Sequence, residues 1–324
     1  MDRRQLVIAL GSILATSSGA AWTQPVSKRR VVWFSGASKS AGGALDSLVD
    51  GLRTLGYQQN RDYVLETLWA EFSVDRARKL ASELADSRPA VIVANGLAIG
   101  PAVSITPPVP VVFVMSGNPI DFGIAESFAR PGRNATGVSL MVLDLTEKRM
   151  DLLKQVVPGM RRVAILANPE HAGEYRERAA AQAAADKLRL EFMYFQARNP
   201  DELKNALPVL ANAKPDGLYV FGDSLMLQER RSIAEFLRQS RIPSASGWSE
   251  FAESGFLLTY GPDRRASWLR LAYFVDRILK GARPRDLPIE LPTVIDLFVN
   301  RTTAKELNLV VPQSILLQAT RAVD

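Results

Sequence analysis

The chain contains no cysteine and a single histidine among its 324 residues. Without cysteine there is no disulfide framework and no thiolate nucleophile, and nothing at a signal-cleavage site for a lipid to be attached to. One histidine, His171, cannot assemble a multi-histidine metal site. It sits in a polar loop and reads as a solvated surface residue rather than a base. G-x-S-x-G, S-x-x-K, Walker-type and G-x-G-x-x-G motifs are all absent, which removes the common hydrolase, phosphate-loop and dinucleotide signatures. The surplus of 40 basic over 34 acidic residues gives a net charge of +6. The basic residues are scattered, with tight pairs such as Arg161-Arg162 and Arg264-Arg265 but no stripe interleaved with aromatics, so a nucleic-acid partner is not expected. No stretch beyond the N-terminal leader is long and apolar enough to span a bilayer.

The leader has a basic start, Met1-Asp2-Arg3-Arg4, then an apolar run, Leu6–Ala15, and small residues at Gly19-Ala20-Ala21. Residues 1–24 therefore read as a secretory signal peptide processed near Ala21. Arg3-Arg4-Gln5-Leu6 leaves both the general and the twin-arginine export routes open. The expected location is the periplasm, with no membrane anchor.

With 47% hydrophobic residues, the composition is that of a globular chain long enough for two domains. Short apolar, β-branched runs alternate with 3.6-residue periodicity. Strands are predicted at Val31–Phe34, Tyr63–Trp69, Val91–Ala94, Val111–Met115 and Thr136–Leu140. Helices are expected between them, including a short one over Ile120–Ala129. The alternation then repeats, with strands at Val163–Ala167, Glu191–Phe195, Gly217–Phe221, Pro243–Ser246, Phe256–Thr259 and Val294–Val299. Ser73 and Asn199 read as helix caps, Asp144 with Glu147 as a capping box, and Pro208 as a kink. The segment Arg283–Pro292, with three prolines, reads as extended. The fold class is α/β: two doubly wound, Rossmann-like lobes, with no low-complexity region.

Ligands of such sheets collect beyond the carboxyl ends of the strands. The exits here are rich in Ser, Gly, Asn and Asp, which suits an anionic group such as a carboxylate. Asp223 would pair with a ligand ammonium or cap the following helix. Trp248 and Tyr260 would stack on a flat ligand or pack in the core. The glycine-rich loop Ser35–Gly43 matches no phosphate-binding spacing and suits a strand exit that must turn. No catalytic constellation stands out, so the chain reads as a binder and not an enzyme, with no cofactor required. The rival reading is a two-lobed α/β transferase using a nucleotide-activated substrate, which would need a phosphate-gripping loop and a cleft acid or base.

Asn118-Pro119, Gly123, Ser127 and Arg130-Pro131-Gly132-Arg133-Asn134-Ala135-Thr136-Gly137-Val138-Ser139 together resemble the signature of a family of ABC-transporter substrate-binding proteins with tryptophan- and tyrosine-binding members. Trp69-Ala70-Glu71, Glu250-Phe251-Ala252, Tyr260-Gly261-Pro262, Ile278-Leu279-Lys280-Gly281, Asp286-Leu287-Pro288 and Val311-Pro312-Gln313-Ser314 extend the resemblance. It implies the type I periplasmic-binding-protein fold, with a three-segment hinge between the lobes. The lobes would comprise residues 29–142 plus about 262–284, and 143–261 plus about 285–324. It also implies a monomer that delivers a small molecule, an aromatic amino acid or aromatic carboxylate, to permease subunits. Carried over loop by loop, the contact candidates are Ser35, Ala98, Ser116, Asn118, Ser139, Asn168 and Asp223, joined by Trp248, Glu250 and Tyr260. Two positions depart from the pattern: Asn118 replaces the usual Asp, and Arg133 a common Gly.

Overall fold

The computed structural model describes residues 28–39, 43–141, 145–171 and 173–323. The leader, Asp144 of the expected capping box, and parts of the Ser35–Gly43 and Asn168–Gly173 loops lie outside the described residues.

The first lobe runs β1 (Arg29–Ser35), α1 (Ala44–Thr54), β2 (Tyr63–Trp69), α2 (Val74–Ser87), β3 (Val91–Asn95), α3 (Ile99–Val103), β4 (Val111–Met115) and β5 (Ala135–Ser139). Its sheet has the order β2-β1-β3-β4-β5 and is parallel throughout. Every residue of β3, β4 and β5 is buried, as their continuous apolar or small-residue character requires when both faces are covered. The second lobe follows with α4 (Thr146–Val156), β6 (Arg162–Ala167), α5 (Glu174–Lys187), β7 (Glu191–Gln196), α6 (Pro200–Asn212) and β8 (Gly217–Val220). It continues with α7 (Ser224–Gln228), α8 (Arg230–Ser240), β9 (Ser244–Ser246), α9 (Ser249–Glu253) and β10 (Leu258–Pro262). The chain then forms α10 (Arg264–Leu279), β11 (Ile295–Asn300), α11 (Arg301–Glu306), α12 (Gln313–Gln318) and β12 (Arg321–Val323). The second sheet has the order β7-β6-β8-β9-β10-β11-β12, with β11 antiparallel to β10.

Helix α10 leaves the second sheet and packs on α1 and on β3, β4 and β5 of the first. Beyond it, Glu290 pairs with β5, donating its N–H to the Gly137 carbonyl at 2.9 Å and accepting from Ser139 N at 3.0 Å. The chain therefore returns to the second sheet between residues 290 and 295. One cluster of buried apolar side chains extends from Val31 and Trp33 through Trp268 and Trp248 to Leu166 and Val220, so the two lobes share a core.

Several local expectations change. No helix forms over Ile120–Ala129. Asn118 Oδ1 accepts the Ile120 N–H at 3.0 Å, Gly123 takes φ +64°, and the segment folds as successive turns. The helix after Asp223 breaks at Glu229 into α7 and α8. Within Arg283–Pro292, residues Pro284–Asp286 form a 3₁₀ turn rather than extended chain. The caps at Ser73 and Asn199 form, at 3.2 and 2.9 Å, and α6 continues through Pro208.

Candidate functional site

Both sheets share the same parallel order over their first five strands, so each has a switch point between its first and third strands, where successive connections leave on opposite faces. A polar pair sits at each switch point. In the first lobe, Ser35 Oγ accepts the Ala37 N–H at 3.1 Å and donates to Asn95 Oδ1 at 3.0 Å. That bond fixes the orientation of the Asn95 amide. Its Nδ2 is left buried, with no hydrogen-bond partner among the described residues.

In the second lobe, Asn168 Oδ1 accepts the Glu170 N–H at 3.0 Å while Nδ2 donates to Asp223 Oδ2 at 2.8 Å. Asp223 Oδ1 accepts the Met226 N–H at 2.7 Å, capping α7. Burial pushes the Asp223 carboxyl above its ordinary pKa, opposed by nearby His171 and by these hydrogen bonds. His171 is not the solvated surface residue its loop implied. The turn closed by its N–H on the Asn168 carbonyl, at 3.0 Å, brings its ring beside Asp223. Burial lowers the His171 pKa against the pull of Asp223 and Glu174, and its Nε2 is buried and unpartnered among the described residues.

A cavity of about 40 Å³ lies between the lobes, and its walls include Asn95, Ser116, His171, Asp223, Trp248 and Arg264. Trp248 packs against Gly222, where an added Cβ would lie 2.9 Å from the indole ring. Its Nε1 is buried without a partner among the described residues. The Arg264 guanidinium stacks 4.1 Å from the Trp248 ring centroid and 5.9 Å from that of Trp268. Its Nη1 donates to Glu250 Oε1 at 2.5 Å. Polar links between the lobes include an ion pair from Arg176 to Asp121 and a hydrogen bond from the Ser38 hydroxyl to the Gln228 side-chain oxygen. Among the described residues, no group of three His, Asp or Glu side chains gathers as a metal site would require, and no helix is long and apolar enough to cross a membrane.

Of the ten residues singled out from the sequence, Ser116, Asp223 and Trp248 line the cavity. Ser35 and Asn168 stand behind it and aim Asn95 and Asp223. Ser139 is buried and donates to the Gly117 carbonyl at 2.9 Å, pinning the loop after β4. Ala98 is buried in a 3₁₀ turn away from the cavity wall, and Asn118 caps the turn that follows it. Glu250 holds Arg264, and the Tyr260 carbonyl accepts Arg149 Nε at 2.6 Å. Sequence reasoning passed over Asn95, His171, Arg264 and Trp268. Only Asn95 carried a readable signal, as the first polar residue after a buried apolar strand.

The model of the ABC transporter substrate binding protein family matches residues 37–323. The chain belongs to that family. A tyrosine-binding protein of Clostridioides difficile is 20% identical over 267 residues, covering 82% of this substrate-binding protein and 76% of the relative. Two solved structures share the fold. A conserved domain protein of Vibrio cholerae superposes with a TM-score of 0.83 at 22% identity, over 92% of this chain and all of that one (100%). An ABC domain from Streptococcus pneumonia, in complex with L-Trp, superposes with a TM-score of 0.80 at 20% identity, over 90% of this chain and 100% of that one. The substrate-binding protein thus has the two-lobed α/β architecture of periplasmic binding proteins, and its inter-lobe cavity lies where both switch points converge.

Proposed function

We propose that this substrate-binding protein captures a small aromatic amino acid or aromatic carboxylate between its lobes, in the periplasm, and passes it intact to permease subunits. The observation that carries this reading is the set of unsatisfied groups around one inter-lobe cavity. Asn95 Nδ2 and Trp248 Nε1 are buried donors without partners among the described residues, and Arg264 adds a cation beside them. Buried donors left unpaired cost about 1–3 kcal/mol each, and a ligand carboxylate would recover that. From the second lobe, the Asp223 carboxylate and the His171 ring suit an ammonium group. The Trp248 and Trp268 rings suit a flat apolar body. The tyrosine and tryptophan named for the relatives carry these same three features.

Capture would require the lobes to part and close about three crossovers: between Ser139 and Thr146, at Pro262-Asp263, and between Glu290 and Ile295. Nothing in this arrangement calls for bond making, and the transferase reading is not favoured by the family match. Mass spectrometry of small molecules released by denaturing the purified protein tests the proposal. Recovery of an aromatic amino or carboxylic acid is expected. Recovery of a sugar, or of a chemically altered product, would refute it.

A further inference from the structure

The cavity of about 40 Å³ is far smaller than the roughly 300–1,000 Å³ that holds a small organic ligand. Beside it lies a groove of about 550 Å³ between the start of α1, the end of α7 and the start of α10. The two spaces share two side chains, Arg264 and Trp268. Arg264 is therefore the partition between an inner space too small for a ligand and an outer one of sufficient size. Its guanidinium fills a gap between Trp248, which belongs to the second lobe, and Trp268, which lies on the helix packed against the first. A guanidinium is flat and stacks on indole much as an aromatic ring does. The one bond to Glu250 uses a single carboxylate oxygen, and Glu250 Oε2 is buried without a partner among the described residues, so the pair is not the two-pronged form that binds arginine most firmly.

We propose that Arg264 is an internal plug that the ligand's own carboxylate withdraws. The guanidinium occupies the face of Trp248 on which the ligand's ring would lie. An incoming carboxylate engages both prongs of Arg264 and breaks its single bond to Glu250, the side chain swings, and the inner cavity joins the groove. The aromatic body then lies on Trp248. A ring without a carboxylate cannot draw the plug, so Arg264 selects for acids through the space it releases as well as through its charge. The inference rests on the aromatic-carboxylate reading above and adds the residue that enforces it.

Calorimetric titration of the purified protein and its Arg264→Ala variant with two probes, L-tryptophan and indole, tests the plug. The variant should bind L-tryptophan at least tenfold more weakly and indole at least tenfold more tightly than the parent. Opposite shifts are the signature, because a purely structural role would weaken both. Indole binding that is unchanged or weaker in the variant would overturn the proposal, as would unchanged L-tryptophan affinity. Arg264→Lys supplies a second comparison if the alanine variant does not fold. It keeps the charge without the flat face, so indole should gain and L-tryptophan lose, each by less. If the parent binds none of L-tryptophan, L-tyrosine and L-phenylalanine, the aromatic amino acid reading fails, while the indole shift still decides whether Arg264 blocks the space.

Discussion

The two lobes solve the same topological problem with different electrostatics. Each brings the exits of its first and third strands together, and each uses a side chain at one exit to aim a side chain at the other. In the first lobe the pair is Ser35 and Asn95, both neutral, and what reaches the cavity is an N–H donor. In the second it is Asn168 and Asp223, and what reaches the cavity is a carboxylate. The second lobe also buries a charged network deep in its core. Arg149 of α4 donates to the Tyr260 carbonyl and, at 3.0 Å, to the Tyr219 hydroxyl, which donates to Glu177 Oε1 at 2.9 Å. All three side chains are fully buried, and desolvation pushes the Glu177 carboxyl up to about 7 against the pull of Arg149. Under the proposed function, closing two such halves on one molecule would read its two ends separately. The neutral lobe, with Arg264 at the crossover, suits the acid end, and the charged lobe suits the amine.

The sharpest test removes the backbone contact each lobe depends on. A Cβ at Gly137 would lie 2.0 Å from the Phe113 carbonyl oxygen, and one at Gly261 only 1.9 Å from that of Gly247. Gly137→Ala and Gly261→Ala should each cost more than about 4 kcal/mol, so neither protein should show a native circular-dichroism melt. A native melt for either would show that its strands do not approach this closely.

The next effect separates the lobes. Arg149→Met strands Glu177 in the core and should cost about 3–5 kcal/mol in urea unfolding. Ser35→Ala, which removes the hydroxyl from the neutral pair, should cost only about 1 kcal/mol. Equal losses would abolish the distinction between the lobes. Exchanging charge at the switch points probes binding instead. Asp223→Asn can still cap α7 through its one oxygen but sets its amide nitrogen against the Asn168 Nδ2 donor, so it should cost about 1–3 kcal/mol in unfolding and weaken an amine-bearing ligand at least tenfold, about 1.4 kcal/mol. Asn95→Asp should weaken a carboxylate ligand by a similar factor. If calorimetry finds both variants unchanged, the assignment of ligand ends to lobes is wrong.

The smallest effect is a pH slope. Because the folded protein holds the Glu177 proton more tightly than the unfolded chain does, the contribution of this group to stability is full below the ordinary glutamate pKa of 4.5 and is lost as pH rises through about 7. Glu177→Gln should flatten melting temperature against pH over that window. Identical profiles for parent and variant would contradict it.

Much of the scaffold was legible because buried parallel strands leave continuous β-branched runs. Tyr63–Trp69 and Val111–Met115 form with the ends their sequences imply, and the caps at Ser73 and Asn199 need only neighbouring residues. The site was less legible because it depends on where the scaffold puts side chains that look alike in sequence. Arg264 and Arg265 are adjacent arginines at a helix start, yet the first is inserted between two indoles with its side chain 10% exposed, while the second is exposed. A rotation of about 100° along the helix separates them, and no local pattern says which one faces inward. His171 follows the same logic: its loop is polar in sequence, and the Asn168 that organises the start of that loop also holds Asp223. The turns at Ile120–Ala129 escaped notice because an asparagine side chain competes for the backbone N–H groups a helix would have needed.

Titrating the purified protein calorimetrically with L-tryptophan and L-tyrosine, and then recovering the ligand, tests the account at its centre. It predicts saturable one-to-one binding with a dissociation constant on the order of micromolar, about −8 kcal/mol, and ligand returned unchanged. Absence of heat with every aromatic amino acid and aromatic carboxylate tried, or recovery of a converted ligand, would contradict it.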